Sequence, residues 1–257
     1  MNFIGIIPAR YASSRFPGKP LADIMGKPMI CHTYDSVHNS GITSLTVVAT
    51  DDLRIEETAK ASGARVIMTS PDHSSGTERC GEATRLLLQS GEINPEDVII
   101  NIQGDEPFMD AGQLRLLTSC FTDPHIEIAT LIYRITNAEE LFNPNKVKAV
   151  VDIDGSVMYF SRSTIPFLRD IPRDEWLLQH NFYRHLGIYA YKVKTLLKLV
   201  TLPAGQLEKA ESLEQLRWME YGYKIYSKVT DHENLSVDTP EDLEQLIYIL
   251  KKKPKQL

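Results

Sequence analysis

Apolar and polar positions follow a short repeating cycle in the first hundred residues. Phe3-Ile4-Gly5-Ile6-Ile7 is a compact apolar run, which reads as a strand buried on both faces. Pro8 ends it, because proline cannot donate to a sheet ladder. Ile30, Thr33, Tyr34 and Val37 then recur at i, i+3, i+4 and i+7 and predict a helix that Gly41 stops. The run 44–50 predicts the next strand, Asp51-Asp52 offers N-caps for a helix to about 61, and a strand is expected at 65–68 after Gly63. Strand, helix, strand, helix, strand predicts a parallel sheet with right-handed crossovers. Ligands of such sheets gather at the carboxyl ends of the strands.

The rest of the chain supplies a further helix opening at 73–79, a buried strand at 97–102, and a change of pattern from residue 126. Strands are expected at 126–133, 146–152 and 156–160, with Asp154-Gly155 as a hairpin turn, and again at 183–191. Segment 169–179 is charged, carries Trp176, and reads as a mobile loop. Residues 206–221 read as one helix with Leu213 and Leu216 toward the core, leaving Glu214 and Gln215 on neighbouring faces. In the last helix Thr239 suits the N-cap, Pro240 the first turn, and Asp242 a capping-box position. Its apolar stripe is Leu243, Leu246, Ile247 and Leu250. The basic tail 251–255 is expected to fray.

At 257 residues the chain can bury a substantial core, and 24% charged with 42% hydrophobic residues is ordinary for a globular protein. A net charge of −6 argues against a nucleic-acid partner. Cys31, Cys80 and Cys120 are odd in number and widely spaced, so reduced thiols in a cytoplasm are expected rather than disulfides or a zinc site. The N-terminus runs straight into a strand, and no secretory leader is expected. No run approaches the roughly 18 apolar residues of a membrane span, so membrane insertion is not expected either.

Candidate chemistry collects where predicted strands end. After the first strand come Arg10, Arg15 and Lys19, spaced by Ser13, Ser14 and Gly18. Three cations with small residues suit a triphosphate, which the cations neutralise while backbone N–H groups approach it. An exposed basic connection has the same composition. The loop is not G-x-x-x-x-G-K-[ST], since Ser13 and Pro20 stand where Gly and Ser or Thr would be needed. Ser75, Gly76 and Thr77 open a helix and suit either a cap or an anion contact. After the strand at 97–102, Gln103-Gly104-Asp105-Glu106-Pro107 places adjacent carboxylates where Mg²⁺ could join them to phosphate oxygens, or where they could simply form a turn.

The order of these residues is more specific than their types. Ile6-Ile7-Pro8-Ala9-Arg10, Ser14-Arg15 and Pro17-Gly18-Lys19-Pro20-Leu21 resemble the opening of the sugar nucleotidylyltransferases. Arg10-Tyr11-Ala12-Ser13 looks like the members that activate 3-deoxy-D-manno-octulosonate (Kdo) with CTP. Ser75-Gly76-Thr77-Glu78-Arg79, Gln103-Gly104-Asp105-Glu106-Pro107, Arg184-His185-Leu186-Gly187-Ile188-Tyr189, Leu213-Glu214-Gln215-Leu216-Arg217 and Val237-Asp238-Thr239-Pro240-Glu241-Asp242 extend the likeness in the family's order. Ser74, where the family often has glutamine, and the unrecognisable 169–179 are departures.

The resemblance implies one cytidylyltransferase domain over 1–257, with a Rossmann-like α/β nucleotide-diphospho-sugar transferase fold and a mostly parallel central sheet. Residues 1–125 would be mainly nucleotide-binding, 126–235 a smaller β-rich part for sugar and dimer contacts, and 236–257 the metal motif and last helix. It implies a homodimer and transfer of CMP from CTP to Kdo for lipopolysaccharide biosynthesis, with Mg²⁺ on Asp105 and Asp238. Ala9, Arg10, Arg15, Lys19, Ser75, Gly76, Thr77 and Gln103 would meet the nucleotide, with Arg10, Lys19, Asp105 and Asp238 catalytic. Gln103, Arg162, His185, Glu214 and Gln215 would meet the sugar. Another ulosonic acid, 8-amino-Kdo or a sialic-acid-like sugar, would fit the same motifs. A metal-dependent glycosyltransferase and a non-catalytic nucleotide-binding regulator are the competing classes. The three-cation loop, suited to a leaving pyrophosphate, opposes the first, and the full set of charged residues opposes the second.

Overall fold

A computed structural model describes residues 1–12, 16–233 and 235–252. The chain divides into two compact units: Met1–Leu114 with Asn234–Leu257, and Arg115–Glu233. The C-terminal segment thus returns to the first unit.

The first unit is built on four parallel strands, β1 (Phe3–Ala9), β2 (Leu45–Thr50), β3 (Arg65–Met68) and β4 (Val98–Asn101). Their order is β4-β1-β2-β3, with Ile6 opposite both Val47 and Asn101 and Ala9 opposite Thr50. Ile4, Ile6, Ile7, Val47, Val48, Ile99 and Ile100 are buried, as expected of strands covered on both faces. The crossovers are α1 (Met29–His38), α2 (Leu53–Ala61) and α3 (Gly76–Gln89). The periodic residues Ile30, Thr33, Tyr34 and Val37 form the buried face of α1. Asp52 caps α2 by accepting from Arg54 N, as its position predicted. In the C-terminal helix Pro240–Lys252, Leu246 is buried with Val237, Ile24 and Met29, and Leu243, Ile247 and Leu250 pack against that cluster.

The second unit holds a mixed sheet of β5 (Ile128–Arg134), β6 (Lys148–Val151), β7 (Val157–Ser161), β8 (Tyr183–Lys192) and β9 (Tyr226–Thr230). β8 runs antiparallel to β5 and β6, β7 antiparallel to β6, and β9 parallel to β5. Gly155, at φ +83°, turns the predicted hairpin between β6 and β7. Two expectations need correction here. Residues 206–221 are not one helix but two, α4 (Gln206–Glu211) and α5 (Glu214–Glu220), divided at Ser212, which takes the left-handed conformation (φ 52°, ψ 49°). Segment 169–179 is not a bare loop. It contains Arg173–Glu175 in a 3-10 turn and the helical turn Trp176–Gln179. Trp176 anchors it, buried with Ile135, Leu141 and Phe182 and donating from its indole to Ile171 O at 2.9 Å.

Candidate active site

The carboxyl ends of β1 and β4 open onto a cleft in the first unit. Its walls are Pro8 and Ala9 at the end of β1, which runs through the proline expected to stop it and pairs both residues with β2, Arg10 just beyond, Lys19 and Pro20 from the following turn, His73 to Gly76 and Arg79 at the start of α3, Gln103 to Asp105 after β4, and Asp238 before the last helix. Two glycines make this approach possible. Gly18 adopts φ +73° just before the 3-10 turn Lys19–Leu21, and its N–H donates to Tyr11 O at 2.9 Å. A Cβ there would also lie 3.1 Å from the Tyr11 ring. Gly104 brings its backbone against β1 so closely that a Cβ would stand 2.9 Å from Pro8 O.

The centre of the cleft is an ion cluster. Lys19 Nζ lies 2.7 Å from Asp105 Oδ2 and 3.3 Å from Asp238 Oδ1. The three side chains are 14%, 25% and 41% exposed, so the ammonium is the most enclosed and the carboxylates keep contact with water. Two links hold the aspartates in place. Val237 N donates to Asp105 O at 3.0 Å, tying the segment before the last helix to the turn after β4. Asp242 Oδ2 accepts from Asp238 N at 2.9 Å and Thr239 N at 2.8 Å, while Thr239 Oγ1 accepts from Asp242 N at 3.2 Å. Thr239 and Asp242 thus form the expected box, and the Asp238 side chain is left to Lys19.

Among the described residues no group of three His, Cys, Asp or Glu side chains is arranged to hold a metal. The donor set is two carboxylates sharing one ammonium, with one net negative charge. Hard oxygen donors in that number fit Mg²⁺, which takes one or two carboxylates and completes its octahedron with phosphate and water.

Of the residues assigned from sequence to the nucleotide, Ala9, Arg10, Lys19, Ser75, Gly76 and Gln103 line the cleft. Thr77 does not, being buried in the first turn of α3. Arg15 lies outside the described residues. Ser75 caps α3, accepting from Glu78 N at 3.2 Å, and Glu78 reaches back to Ser74 N at 2.8 Å. The cap and the cleft wall are therefore the same residue.

Three wall residues with polar side chains, His73, Ser74 and Arg79, were not singled out as site residues from sequence. Ser74 is exposed, and His73 Nε2 sits 2.5 Å from Glu82 Oε2. Burial pushes the Glu82 carboxyl up, but hydrogen bonds from Ser70 N and His73 outweigh it and hold the group below its ordinary range. Arg79 is buried, with Asp51 3.1 Å away and Thr69 Oγ1 at 2.5 Å. Its place in Ser75-Gly76-Thr77-Glu78-Arg79 was the available signal. The Arg79 guanidinium is paired with Asp51 and also donates to Ser70 O at 3.3 Å, which fixes the side chain beside the start of α3.

The remaining candidates belong to the second unit. His185 and Tyr189 on β8 have ring centroids 5.1 Å apart, with Phe160 edge-on to His185 at 5.0 Å and Trp218 edge-on to Tyr189 at 5.1 Å. Four residues along a flat strand would span about 13 Å. The register shift between His185 and Tyr189 accompanies their closer approach, and it explains why Tyr189 was not paired with His185 from sequence. His185 Nε2 and Tyr189 Oη are buried without a hydrogen-bond partner among the described residues. Desolvation pushes the imidazole down to about 3. Burial first, and then the charge of Glu214, raises the Tyr189 phenol well above its ordinary value. Gln215 is 6% exposed. Arg162 makes three main-chain bonds. Its Nε donates to Glu211 O at 2.6 Å, Nη1 to Pro144 O at 3.3 Å and Nη2 to Ser212 O at 3.3 Å.

A parallel α/β sheet whose strand ends carry a basic turn, a two-aspartate cluster and a capped helix start is the arrangement of a nucleotidyltransferase. The cytidylyltransferase family model matches residues 4–225, and the chain belongs to that family. The enzyme named 3-deoxy-manno-octulosonate cytidylyltransferase in Parabacteroides distasonis is 49% identical over 254 residues, 97% of this chain and 98% of its own length. The protein of that name in Bacteroides thetaiotaomicron is 49% identical over 255 residues, 98% of this chain and 99% of its own. Among solved structures, a CMP:2-keto-3-deoxy-manno-octonic acid synthetase complexed with CTP superposes with a TM-score of 0.89 at 38% identity, over 99% of this chain and all of that one. A 4-diphosphocytidyl-2C-methyl-D-erythritol synthase at 15% identity and TM-score 0.66 shares the fold.

Proposed function

We propose that this chain transfers CMP from CTP to the anomeric hydroxyl of Kdo, releasing pyrophosphate and forming CMP-Kdo for lipopolysaccharide biosynthesis. The observation that carries this reading is the Lys19, Asp105 and Asp238 cluster, set at the strand ends of a chain that shares about half its residues with enzymes of that name. The C2 hydroxyl of the sugar attacks the α-phosphorus in line, the α–β phosphoanhydride bond breaks, and the electron pair leaves on pyrophosphate. Arg10 and Lys19 offset the charge growing on that leaving group, with Arg15 assigned the same task from the sequence. Asp105 and Asp238 hold Mg²⁺ on this reading. When bound, Mg²⁺ offsets charge on the phosphate oxygens and lowers the pKa of the attacking hydroxyl. Lys19, close to both carboxylates, offsets part of their charge and limits their repulsion.

Gln103, Arg162, His185, Glu214 and Gln215 are the sugar-side groups on this reading. Two buried polar atoms without partners, at His185 and Tyr189, support it, because such atoms gain most from a hydroxyl-rich ligand. A homodimer and a cytoplasmic location are part of the proposal, the first supported by the prevalence of two-fold oligomers and the second by three buried thiols with no disulfide among them.

The test is pyrophosphate release from CTP and Mg²⁺ with Kdo, its 8-amino analogue and N-acetylneuraminate supplied separately. Release with Kdo alone is expected. Release only with another acid moves the substrate assignment and keeps the chemistry. Silence with all three while CTP still binds would reject the reaction.

A further inference from the structure

The first five residues of β5 are all buried, and four of them, Ile128, Ala129, Leu131 and Ile132, are apolar. The exception is Thr130. A hydroxyl in such a place costs free energy unless it is hydrogen-bonded, and this one is committed across the sheet. Thr130 Oγ1 donates to Ile188 O at 2.7 Å, with Leu186 O also in range at 3.3 Å. Both carbonyls belong to the irregular stretch of β8.

The register defines that stretch. His185 stands opposite Ile132 and Tyr189 opposite Thr130, so Leu186, Gly187 and Ile188 together face the single residue Leu131. Surplus residues of this kind lose their places in the ladder, and a strand can take up the excess at more than one position. The choice matters, because a slip of one residue turns a side chain to the other face of the sheet. Thr130 removes the freedom. Its hydroxyl reaches the carbonyls on both sides of Gly187 and so ties the two ends of the bulge to one atom. The consequence appears on the face that carries His185 and Tyr189. Their rings lie 5.1 Å apart, flanked by Phe160 and Trp218, and each ring bears a buried polar atom without a partner among the described residues.

We propose that Thr130 is a positioning residue for the sugar site: its hydroxyl fixes the bulge in β8 and thereby holds His185 beside Tyr189. The inference rests on the reading of those two buried groups as sugar-side groups.

The experiment compares two substitutions in the full chain, with Kdo varied at saturating CTP and Mg²⁺ and then with CTP varied. Thr130→Val keeps the branched shape and leaves the bulge carbonyls without the hydroxyl. It is expected to raise KM for Kdo about tenfold to a hundredfold, as a displacement of about 1 Å at a binding group would, with KM for CTP within about twofold. Thr130→Ser keeps the hydroxyl and gives up a buried methyl group, so Tm should fall while KM for Kdo stays within about twofold. In a chain already carrying His185→Gln and Tyr189→Phe, Thr130→Val should add almost nothing, because the groups it positions are gone. Equal rises in KM for Kdo with valine and serine would overturn the proposal in favour of packing. An unmoved KM in the valine variant, with only a lower Tm, would overturn it in favour of a purely structural bond. Effects that multiply with the His185 and Tyr189 changes would show that Thr130 acts elsewhere. If those two changes alone leave KM for Kdo unmoved while CTP is still turned over, the sugar-side reading fails and the proposal falls with it. Should Thr130→Val fail to fold, Thr130→Cys, whose thiol is only a weak donor, is carried through the same comparison, with a KM for Kdo above that of the serine variant expected.

Discussion

Two polar clusters in this molecule solve opposite problems. In the first unit Lys19, Asp105 and Asp238 are charged, mutually compensated and in contact with water. In the second, His185 and Tyr189 are buried among Phe160 and Trp218, with desolvation holding both in their neutral forms. Charges that remain hydrated can be re-partnered at modest cost, so the first cluster suits a site where a cation and a triphosphate come and go. Neutral polar atoms kept dry gain little from ions and much from hydroxyl groups that complete their hydrogen bonds. The two clusters therefore point to two kinds of ligand.

Removing one carboxylate should break the first cluster most completely. Asp105→Asn is expected to lower pyrophosphate release by about 10²–10³-fold, comparable with deleting a principal electrostatic group from other active sites. The loss should hold at every pH between 6 and 9, since the amide cannot regain the charge. Near-normal turnover by this variant at any of those pH values would end the assignment of Asp105 to the metal.

The second cluster should respond to acid instead. His185 has a folded value of about 3 against an ordinary 6.5. As pH falls below 6.5 the unfolded chain takes up a proton that the folded chain refuses, so stability is lost from there down toward pH 3. By pH 4 the loss is on the order of 3 kcal/mol, or about 6–12 °C in Tm for a chain of this size. His185→Gln should flatten that limb of the Tm profile relative to the parent. Carboxylates held below their ordinary range, such as Glu82 and Asp97, lose stability in acid in both proteins, and the difference between the two curves isolates the imidazole. Parallel curves would show that His185 is not desolvated as described.

A smaller effect is expected from filling the closest backbone approach in the cleft. Gly104→Ala sets a methyl group 2.9 Å from Pro8 O, an atom of the strand backbone that cannot rotate aside. Destabilisation of about 1–3 kcal/mol should follow, read as a lower denaturant midpoint with an unchanged m-value. A variant as stable as the parent would mean that the turn after β4 is free to withdraw from β1.

How far each cluster was legible in the sequence follows from its geometry. The first rests on short local devices, namely an apolar run that leads into the Pro8-Ala9-Arg10 strand end, a glycine before Lys19, and a Thr-Pro-x-Asp helix start. Each leaves a mark within a few residues, so Lys19, Asp105 and Asp238 were all marked out. The second rests on events without a local signature. The register shift in β8 lies between His185 and Tyr189, in a stretch whose alternation reads as a plain strand. The break at Ser212 has neither glycine nor proline to announce it, because the corner is held from outside, Glu211 by Ser161 and Arg162 and the Ser212 carbonyl by Arg162. Trp176 was visible as an aromatic in a charged stretch, but its burial depends on Ile135, Leu141 and Phe182, distant in sequence. Arg79 was likewise quoted within a motif while its ion pair with Asp51 stayed out of reach.

The mildest test of the first cluster concerns the residue that supports Asp238 without touching Lys19 in any bond described above. Asp242 accepts from both Asp238 N and Thr239 N, and its charge sits in the first turn of the last helix, where a negative group is favoured. These two contributions separate by substitution. Asp242→Asn keeps an acceptor oxygen and loses the charge, so it should cost only a few tenths of a kcal/mol and leave turnover within about twofold. Asp242→Ala loses the acceptor as well and should cost about 1 kcal/mol, with turnover reduced several-fold as Asp238 loses its fixed approach to Lys19. Equal losses in both variants would mean that charge alone matters and that the box does not aim Asp238. A loss confined to alanine would place Asp242 among the residues that hold the second carboxylate in register with the first.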